Sequence, residues 1–298
     1  MFNIRGTVMK KFLMRHLKKR SASERIVYAF VFVIFTAFAL SYLYILVWTF
    51  LSGMKSHDDV VMHPFALPET WHIKNYIEVF SLLQVEETGF FGMVLNSLYW
   101  SVLGSFISLM CSSMLAYVCC KYKFPGCKLY WGLSMFMMMM PIYGTGGATY
   151  KLFLQLGFVN SYSRILQFTG GMGINFLYFT SYYASLSDSY AEAARIDGAN
   201  DWQIFFRVVC PQTAVLFGSL FLMAWEASWN DYSTALIYMP KIPTLAVGIY
   251  MFELEMQYHI RMDILYAAYF LAAVPPLVIF SLFNTALTAN VSLGGIKE

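Results

Sequence analysis

Long apolar runs without any charged residue divide the chain. Five runs contain no Asp, Glu, Lys or Arg, and they cover 26–54, 88–120, 129–150, 165–187 and 264–296. A helix needs roughly 20 apolar residues to cross the hydrocarbon core of a bilayer. A sixth run starts after Arg207 and stays largely apolar through Ile237, although it contains Glu226. The pattern therefore predicts six membrane-spanning segments.

These runs do not alternate between apolar and polar residues, as the stretches 28–50 and 274–283 illustrate. A membrane-spanning strand would show that alternation, and lipid leaves each segment to satisfy its own backbone hydrogen bonds. We therefore expect an all-α membrane protein with six transmembrane helices. The first helix covers 26–52, and the other five lie in a core domain at 91–287.

Composition supports a lipid environment. Hydrophobic residues make up 59% of the chain and charged residues 12%, about half of the usual charged fraction. This excludes disordered and ordinary soluble classes. The five cysteines form no C-x-x-C pair, which argues against a zinc site or a disulfide framework. No phosphate-binding G-x-x-x-x-G-K-[ST] loop occurs, so we expect the chain to bind no cofactor or metal directly.

Lysine and arginine predict the orientation. The segment 1–25 holds eight basic residues against one acid, whereas 53–90 holds two lysines against six acids. Because positive flanks stay inside, we expect a basic cytoplasmic segment at 1–25, an extracytoplasmic segment at 53–90 and, after six spans, a cytoplasmic tail at 288–298. A cleaved signal peptide is an alternative, but the first apolar run continues well beyond the Ala37-Phe38-Ala39 site, which favours an uncleaved helix.

A loop at 187–212 between the fourth and fifth spans is expected on the inside. Ser189 and Glu192 have the spacing of a capping box, so we expect a helix to begin there. Gly198 is placed to end that helix in a left-handed conformation.

A second short helix should follow in this loop. Asn200 or Asp201 can cap it, and we expect it to begin with Trp202 and to end by Pro211. The corner between the two helices presents small alanines flanked by charges, which suits docking of a partner; a helix lying on the membrane surface is the alternative.

The loop resembles the E-A-A-x-x-x-G-x9-I-x-L-P loop of membrane subunits of bacterial ABC importers. The matching positions are Glu192, Ala193, Ala194, Gly198 and Pro211. Val208 replaces the isoleucine and Cys210 the leucine. Further motifs resemble the smaller, MalG-like permease of the carbohydrate branch, over roughly residues 26–298. They are Asn96-Ser97, Trp229-Asn230-Asp231-Tyr232, Pro243-Thr244-Leu245 and Leu293-Gly294-Gly295-Ile296-Lys297.

The resemblance implies a type I importer transmembrane domain in the bacterial cell membrane, without catalytic activity of its own. It also implies a second homologous permease, two cytoplasmic ATPases that use ATP and Mg²⁺, an extracytoplasmic solute-binding protein and a sugar substrate, with no role for nucleic acid. The residues expected to couple to the ATPase are Glu192, Ala193, Ala194, Arg195, Asp197, Gly198, Asp201 and Pro211. A permease for another class of solute is the alternative.

Glu226 is a carboxylate well inside a predicted span, and such charges are usually functional. The candidate solute-pathway residues around it are Trp229, Asn230, Asp231 and Tyr232. On a helix, Trp229 and Asn230 share a face with Glu226, whereas Trp225 points about 100° away. An aromatic belt with an acid that pairs with the partner permease remains open. So does a carrier with proton or sodium sites, although no internal repeat supports it.

Glycines at 170, 171 and 173 lie in the predicted fourth span. They can serve close helix packing or a helix break. We expect close packing.

Overall fold

Helices dominate the structure, a computed structural model that describes residues 22–122, 124–140, 146–259 and 261–291. Four helical segments within it are long and apolar enough to cross a membrane: Ile26–Ser52, Phe90–Lys121, Asp201–Trp229 and Met262–Ser281. They correspond to the first, second, fifth and sixth predicted spans. The predicted helical membrane class is confirmed.

Within the described residues, the elements are helices and one small hairpin. They are α1 (Ala22–Ser52), α2 (His57–Met62), α3 (Lys74–Leu82), β1 (Gln84–Val85), β2 (Thr88–Gly89), α4 (Phe90–Leu98), a π-turn (Tyr99–Leu103), α5 (Gly104–Lys121), α6 (Cys127–Met139), α7 (Gly146–Gln155), a 3-10 helix (Tyr162–Gly170), α8 (Ile174–Ser185), α9 (Ser189–Ile196), α10 (Asp201–Gln203), a second π-turn (Ile204–Val209), α11 (Cys210–Trp229), α12 (Tyr232–Tyr238), α13 (Leu245–His259) and α14 (Met262–Val291).

The third and fourth predicted spans consist of shorter pieces. The third comprises α6 and α7 on either side of residues 141–145, which lie outside the described residues. The fourth comprises the 3-10 helix and α8. The count of six transmembrane helices therefore stays a prediction. The basic residues of 1–21 and the tail from residue 292 onward also lie outside the described residues, and the cytoplasmic orientation of both termini stays a prediction.

The glycines of the fourth segment interrupt the helix. Gly171 has φ +68° and Gly173 has φ +115°, and α8 begins directly after them. Residues other than glycine rarely adopt such angles, so the break depends on these two positions. The expectation of close packing is wrong for Gly170 and Gly173, which face open space. It holds only at Gly171, where an added Cβ would lie 3.3 Å from the Cys111 carbonyl oxygen.

A buried core joins α5 to α8. Phe176, Phe179 and Tyr183 of α8 are fully buried, and Tyr183 forms a 2.6 Å hydrogen bond with the buried Ser113 hydroxyl of α5. The Tyr183 ring also contacts Tyr117 edge to face. Because α8 leads into the loop at 187–212, this core fixes where the loop starts.

The segment 53–90 folds into α2, α3 and the hairpin, packed on the ends of α1 and α14. Buried Asn75 donates to the carbonyls of Gly53 and Lys55 at 3.0 and 2.9 Å. The ammonium of Lys55 is also buried and donates to the His63 carbonyl at 2.6 Å. These bonds satisfy polar groups that would otherwise destabilise a buried position. Which side of the membrane this segment faces stays a prediction.

An ion-pair cluster ties α3 to the start of α14. Arg261 donates to Asp263 at 3.1 Å and to Glu78 at 3.3 Å. The Asp263 carboxylate, with Glu78 beside it, raises the pKa of Arg261. The cluster holds the segment 53–90 against the last long helix.

Candidate functional site

The first helix of the loop begins at Ser189, as predicted, but without the predicted capping box. Ser189 is already helical and Asp188 occupies the N-cap in a helical conformation, so neither side chain of the Ser189–Glu192 pair reaches the cap position. The Ser189 hydroxyl instead pairs with that of Ser187 at 2.9 Å. The predicted capping box is wrong because it needs Ser189 at the N-cap position, just before the helix, whereas Ser189 is the first residue inside the helix.

The end of α9 is the predicted glycine corner. Gly198 has φ +82°. The Ala199 N–H donates to the Ala194 carbonyl at 2.9 Å, and the Gly198 N–H donates to the Arg195 carbonyl at 3.0 Å. These two bonds form a Schellman motif, which satisfies carbonyls that the helix end leaves open. The prediction of a left-handed cap at Gly198 is confirmed.

The second helix is capped by Asn200 rather than Asp201. The Asn200 side chain accepts from the Gln203 N–H at 2.9 Å, and the Gln203 side chain accepts from the Asn200 N–H at 2.9 Å. This is a capping box. The capping box was predicted at Ser189 and Glu192, at the start of α9, but the structure forms it at Asn200 and Gln203, at the start of α10.

The predicted end of this helix at Pro211 is wrong. The chain stays helical from Asp201 to Trp229 without interruption. Proline is tolerated because the preceding turn is a π-turn and Pro211 stands in the first turn of α11. The Gln212 amide donates to the Val208 carbonyl at 2.9 Å and satisfies part of the disturbed ladder.

Two cations bind the loop to α5 and to itself. Lys121 at the end of α5 pairs with Asp188 at 2.6 Å. Arg195 lies 3.4 Å from both the Tyr122 hydroxyl and an Asp201 carboxylate oxygen, and these two groups raise its pKa. The bonds connect both arms of the corner to the end of the second span.

Most of the predicted coupling residues lie together at this corner, whereas Pro211 stands in the first turn of α11, ten residues beyond Asp201. Those with exposed side chains or backbone are Glu192, Ala193, Arg195, Asp197, Gly198, Asp201 and Pro211, whereas Ala194 is half-buried. Two large apolar residues that the sequence analysis did not select are also exposed, Ile196 at 87% and Trp202 at 63%. Exposed apolar groups beside charges are typical of an interaction surface. Ile196 and Trp202 flank Gly198 in the sequence, and this position could have identified them as part of the surface.

The Glu226 face opens on a cavity of about 530 Å³, called here the Glu226 cavity. The predicted residues that line it are Glu226, Trp229, Asn230 and Tyr232. The Asn230 amide donates to a Glu226 carboxylate oxygen at 2.8 Å, and Tyr232 stacks on Tyr250 with ring centroids 4.5 Å apart. Glu253 and Tyr269 line the same cavity from α13 and α14. The sequence pattern does not predict them, because only the tertiary fold brings those helices together.

Asp231 does not belong to this group of residues. The helix ends at Trp229, and Asp231 caps α12 by accepting from the Thr234 N–H at 3.0 Å. The turn sends its carboxylate into a second cavity of about 520 Å³ with Arg164, called here the Arg164 cavity. The expectation of one shared site is wrong at this position. Trp225 is buried in the core beside Trp229 and does not line the Glu226 cavity.

The supporting motifs meet in space. The Asn96 amide donates to the Pro243 carbonyl at 3.0 Å, and the Ser97 hydroxyl accepts from the Leu245 N–H at 2.7 Å. These bonds fix the start of α13 against α4. No group of three or more potential metal ligands lies together in the part of the chain that the structure describes.

Long apolar helices, polar cavities between them and an exposed helical corner define a multi-pass membrane subunit of a transporter. The chain belongs to the family described as binding-protein-dependent transport system inner membrane component, which matches residues 114–293. It is thus a permease subunit of an ABC importer and not an enzyme, in agreement with the sequence analysis.

Relatives cover most of the chain. The probable ABC transporter permease protein YurM of Bacillus subtilis is 24% identical over 94% of this chain and 91% of its own length. The diacetylchitobiose uptake system permease protein NgcG of Streptomyces coelicolor is 26% identical over 85% of this chain and 83% of its own. A bacterial ABC transporter involved in import of the acidic polysaccharide alginate has the same fold, with a TM-score of 0.71 and 23% identity over 89% of this chain and 98% of that chain.

Proposed function

We propose that this chain forms half of the translocation pathway of an ATP-driven importer for sugars, most simply oligosaccharides. A relative's name specifies diacetylchitobiose uptake. The Glu226 cavity supports the same solute class, because it combines aromatic faces with carboxylate, amide and hydroxyl groups. Sugars pack their C–H faces on rings and need hydrogen bonds for their hydroxyls.

The exposed glycine corner is the observation that carries the coupling role. It is rigidly capped, tied to α5 by Lys121 and Arg195, and continuous with the fifth span. A partner that pushes on this corner therefore moves a membrane helix. We propose that each such corner docks on one of two cytoplasmic ATPases, which hold the ATP and Mg²⁺.

The rest of the assembly follows from this proposal. A second, homologous permease completes the pathway, and an extracytoplasmic solute-binding protein delivers the sugar. Six transmembrane helices with both termini in the cytoplasm place the loop at 187–212 on the side of the ATPases and the segment 53–90 on the opposite side. The protein resides in the bacterial cell membrane.

Purified complex in proteoliposomes tests this function. ATP hydrolysis is measured with the binding protein and a panel of glycans: chitobiose, maltotriose, galactotriose, arabinotriose and tri-galacturonate. We expect at least one glycan to stimulate hydrolysis and to be taken up. Stimulation by a non-carbohydrate solute and by none of the glycans would refute the sugar assignment but leave the coupling role intact.

The Glu226 face has its own test. Glu226→Gln removes the charge but keeps the size, and we expect it to reduce sugar uptake at least tenfold while the ATPase still co-purifies. Glu255→Gln is the matched control, because Glu255 is exposed on α13 and does not line the cavity. Unchanged uptake in Glu226→Gln would contradict solute contact at this face.

A further inference from the structure

We propose that the Arg164 cavity is a second sugar-binding site, which holds hydroxyl groups of a neutral glycan between Arg164 and Asp231. The inference rests on the proposed function and locates a step of the solute path outside the Glu226 cavity. Neither the resemblance nor the family match assigns a role to Arg164.

Arg164 is almost fully buried, with 1% of its surface exposed. Aromatic rings surround its guanidinium, with centroid distances of 4.1 Å to Tyr238, 4.9 Å to Trp100 and 5.5 Å to Phe153. Its Nε donates to the Gln167 side chain at 3.2 Å. Its Nη1 is buried and has no hydrogen-bond partner.

A buried, unpaired guanidinium nitrogen destabilises a fold unless something compensates for it. The rings supply cation–π attraction, but they do not accept the Nη1 hydrogen bonds in the geometry of an oxygen acceptor. Arg164 lines the cavity of about 520 Å³. Its Nη1 exposes almost no surface there, so a molecule in the cavity supplies the missing acceptor after a small rotation of the guanidinium. The cavity volume lies within the usual range for small-molecule sites.

Asp231 supplies the complementary group on the same cavity. One carboxylate oxygen, Oδ1, accepts from the Ser233 hydroxyl at 2.9 Å and from the Thr234 N–H at 3.0 Å. The Thr234 side chain also hydrogen-bonds to the carboxylate. An ionised carboxylate has about four acceptor positions, so Asp231 can still accept a hydrogen bond from a molecule in the cavity. The cavity thus combines an unpaired donor on Arg164 with an acceptor on Asp231 that has capacity for a further hydrogen bond.

Hydroxyl groups match this pair because each can donate and accept at once. A sugar hydroxyl that accepts from Arg164 and a neighbouring one that donates to Asp231 would satisfy both groups. The two charges cancel, so the site holds no net charge to attract a carboxylated sugar, and Asp231 would repel one. The chemistry therefore favours a neutral glycan.

The two cavities flank the same end of α11. Ala224, Ala227 and Ser228 line the Arg164 cavity, whereas Glu226 and Trp229 line the Glu226 cavity. Helical spacing puts these sets on opposite sides of the helix. A sugar chain that passes this helix end can therefore contact both sites.

Three variants of the reconstituted complex test the site: Arg164→Met, Asp231→Asn and the double variant. The probe is the glycan that best stimulates ATP hydrolysis in the panel above. We measure assembly, ATP hydrolysis with loaded binding protein and the amount of sugar taken up per ATP. Lys151→Met is the matched control, since Lys151 is an exposed cation of α7 outside the cavity.

We expect all three variants to assemble and to hydrolyse ATP within twofold of the wild type. Sugar taken up per ATP should fall at least tenfold in each of them and stay unchanged in Lys151→Met. Asp231→Asn leaves Arg164 without its counter-charge, so uptake of tri-galacturonate relative to neutral glycans should rise.

Other outcomes overturn the inference. Unchanged uptake per ATP in Asp231→Asn would exclude a contact that depends on the carboxylate charge. A double variant that recovers uptake would show that the two charges only balance each other. Efficient uptake of tri-galacturonate by the wild type would refute the neutral preference. A panel in which no glycan stimulates hydrolysis would refute the proposed sugar function itself, and this inference with it.

Discussion

Replacing Gly198 tests whether the left-handed cap is needed to hold the docking corner. An added Cβ meets no atom within 4 Å, so a side chain there creates no clash within the chain. The cost is conformational, because φ is +82° and an L-residue in this region costs about 1–2 kcal/mol. A β-branched residue such as valine is worse placed still.

Gly198→Val should therefore lower the population of the corner conformation about 5–30-fold. Gly198→Asn is the control, since asparagine has a Cβ but tolerates left-handed backbone. We expect valine to abolish stimulation of ATP hydrolysis by loaded binding protein in proteoliposomes, and asparagine to retain most of it. Both variants should stay inserted in the membrane, because the strain is confined to the corner.

Two results would refute this reasoning. Normal coupling in Gly198→Val would mean that the corner conformation does not matter for coupling. Equal loss in both variants would mean that the empty space next to Gly198, and not its backbone angle, is what the partner requires.

Three further predictions concern the same loop and its foundation. Glu192→Lys should uncouple ATP hydrolysis from solute without shifting the melting temperature, since Glu192 is exposed; intact coupling would argue against docking at this residue. Asn200→Ala should cost about 1 kcal/mol at the helix cap, seen as faster amide exchange in the following turn. Tyr183→Phe should lower the free energy of unfolding by about 1–3 kcal/mol, because Ser113 loses its buried partner. Tyr178 is exposed, so Tyr178→Phe should change the free energy of unfolding by less than about 0.5 kcal/mol. Equal changes in the two variants would contradict a stabilising hydrogen bond between Tyr183 and Ser113.

The long helices and the helix end at Gly198 could be predicted from the sequence, because both depend on residues that are close together in the chain. Runs of apolar residues locate four of the long helices, and Gly198 marks a helix end because only glycine fits that backbone angle well. These features require no knowledge of what packs against them.

Features that depend on tertiary packing or on small changes of helix pitch were missed. Pro211 normally ends a helix, and nothing local indicates that the π-turn before it absorbs the missing N–H. Asp231 is only one residue from Asn230, yet a helix end between them separates their cavities. Nothing in the sequence around Arg164 indicates a binding site, because the three rings that surround its guanidinium come from distant parts of the chain.

The uninterrupted helix from Asp201 to Trp229 has a mechanical consequence. Its 29 residues span about 43 Å at 1.5 Å per residue. A rigid rod of that length pivoting about its centre by about 10° carries its two ends about 4 Å in opposite directions. In such a rod, force applied at one membrane surface is delivered near the opposite surface with reversed direction.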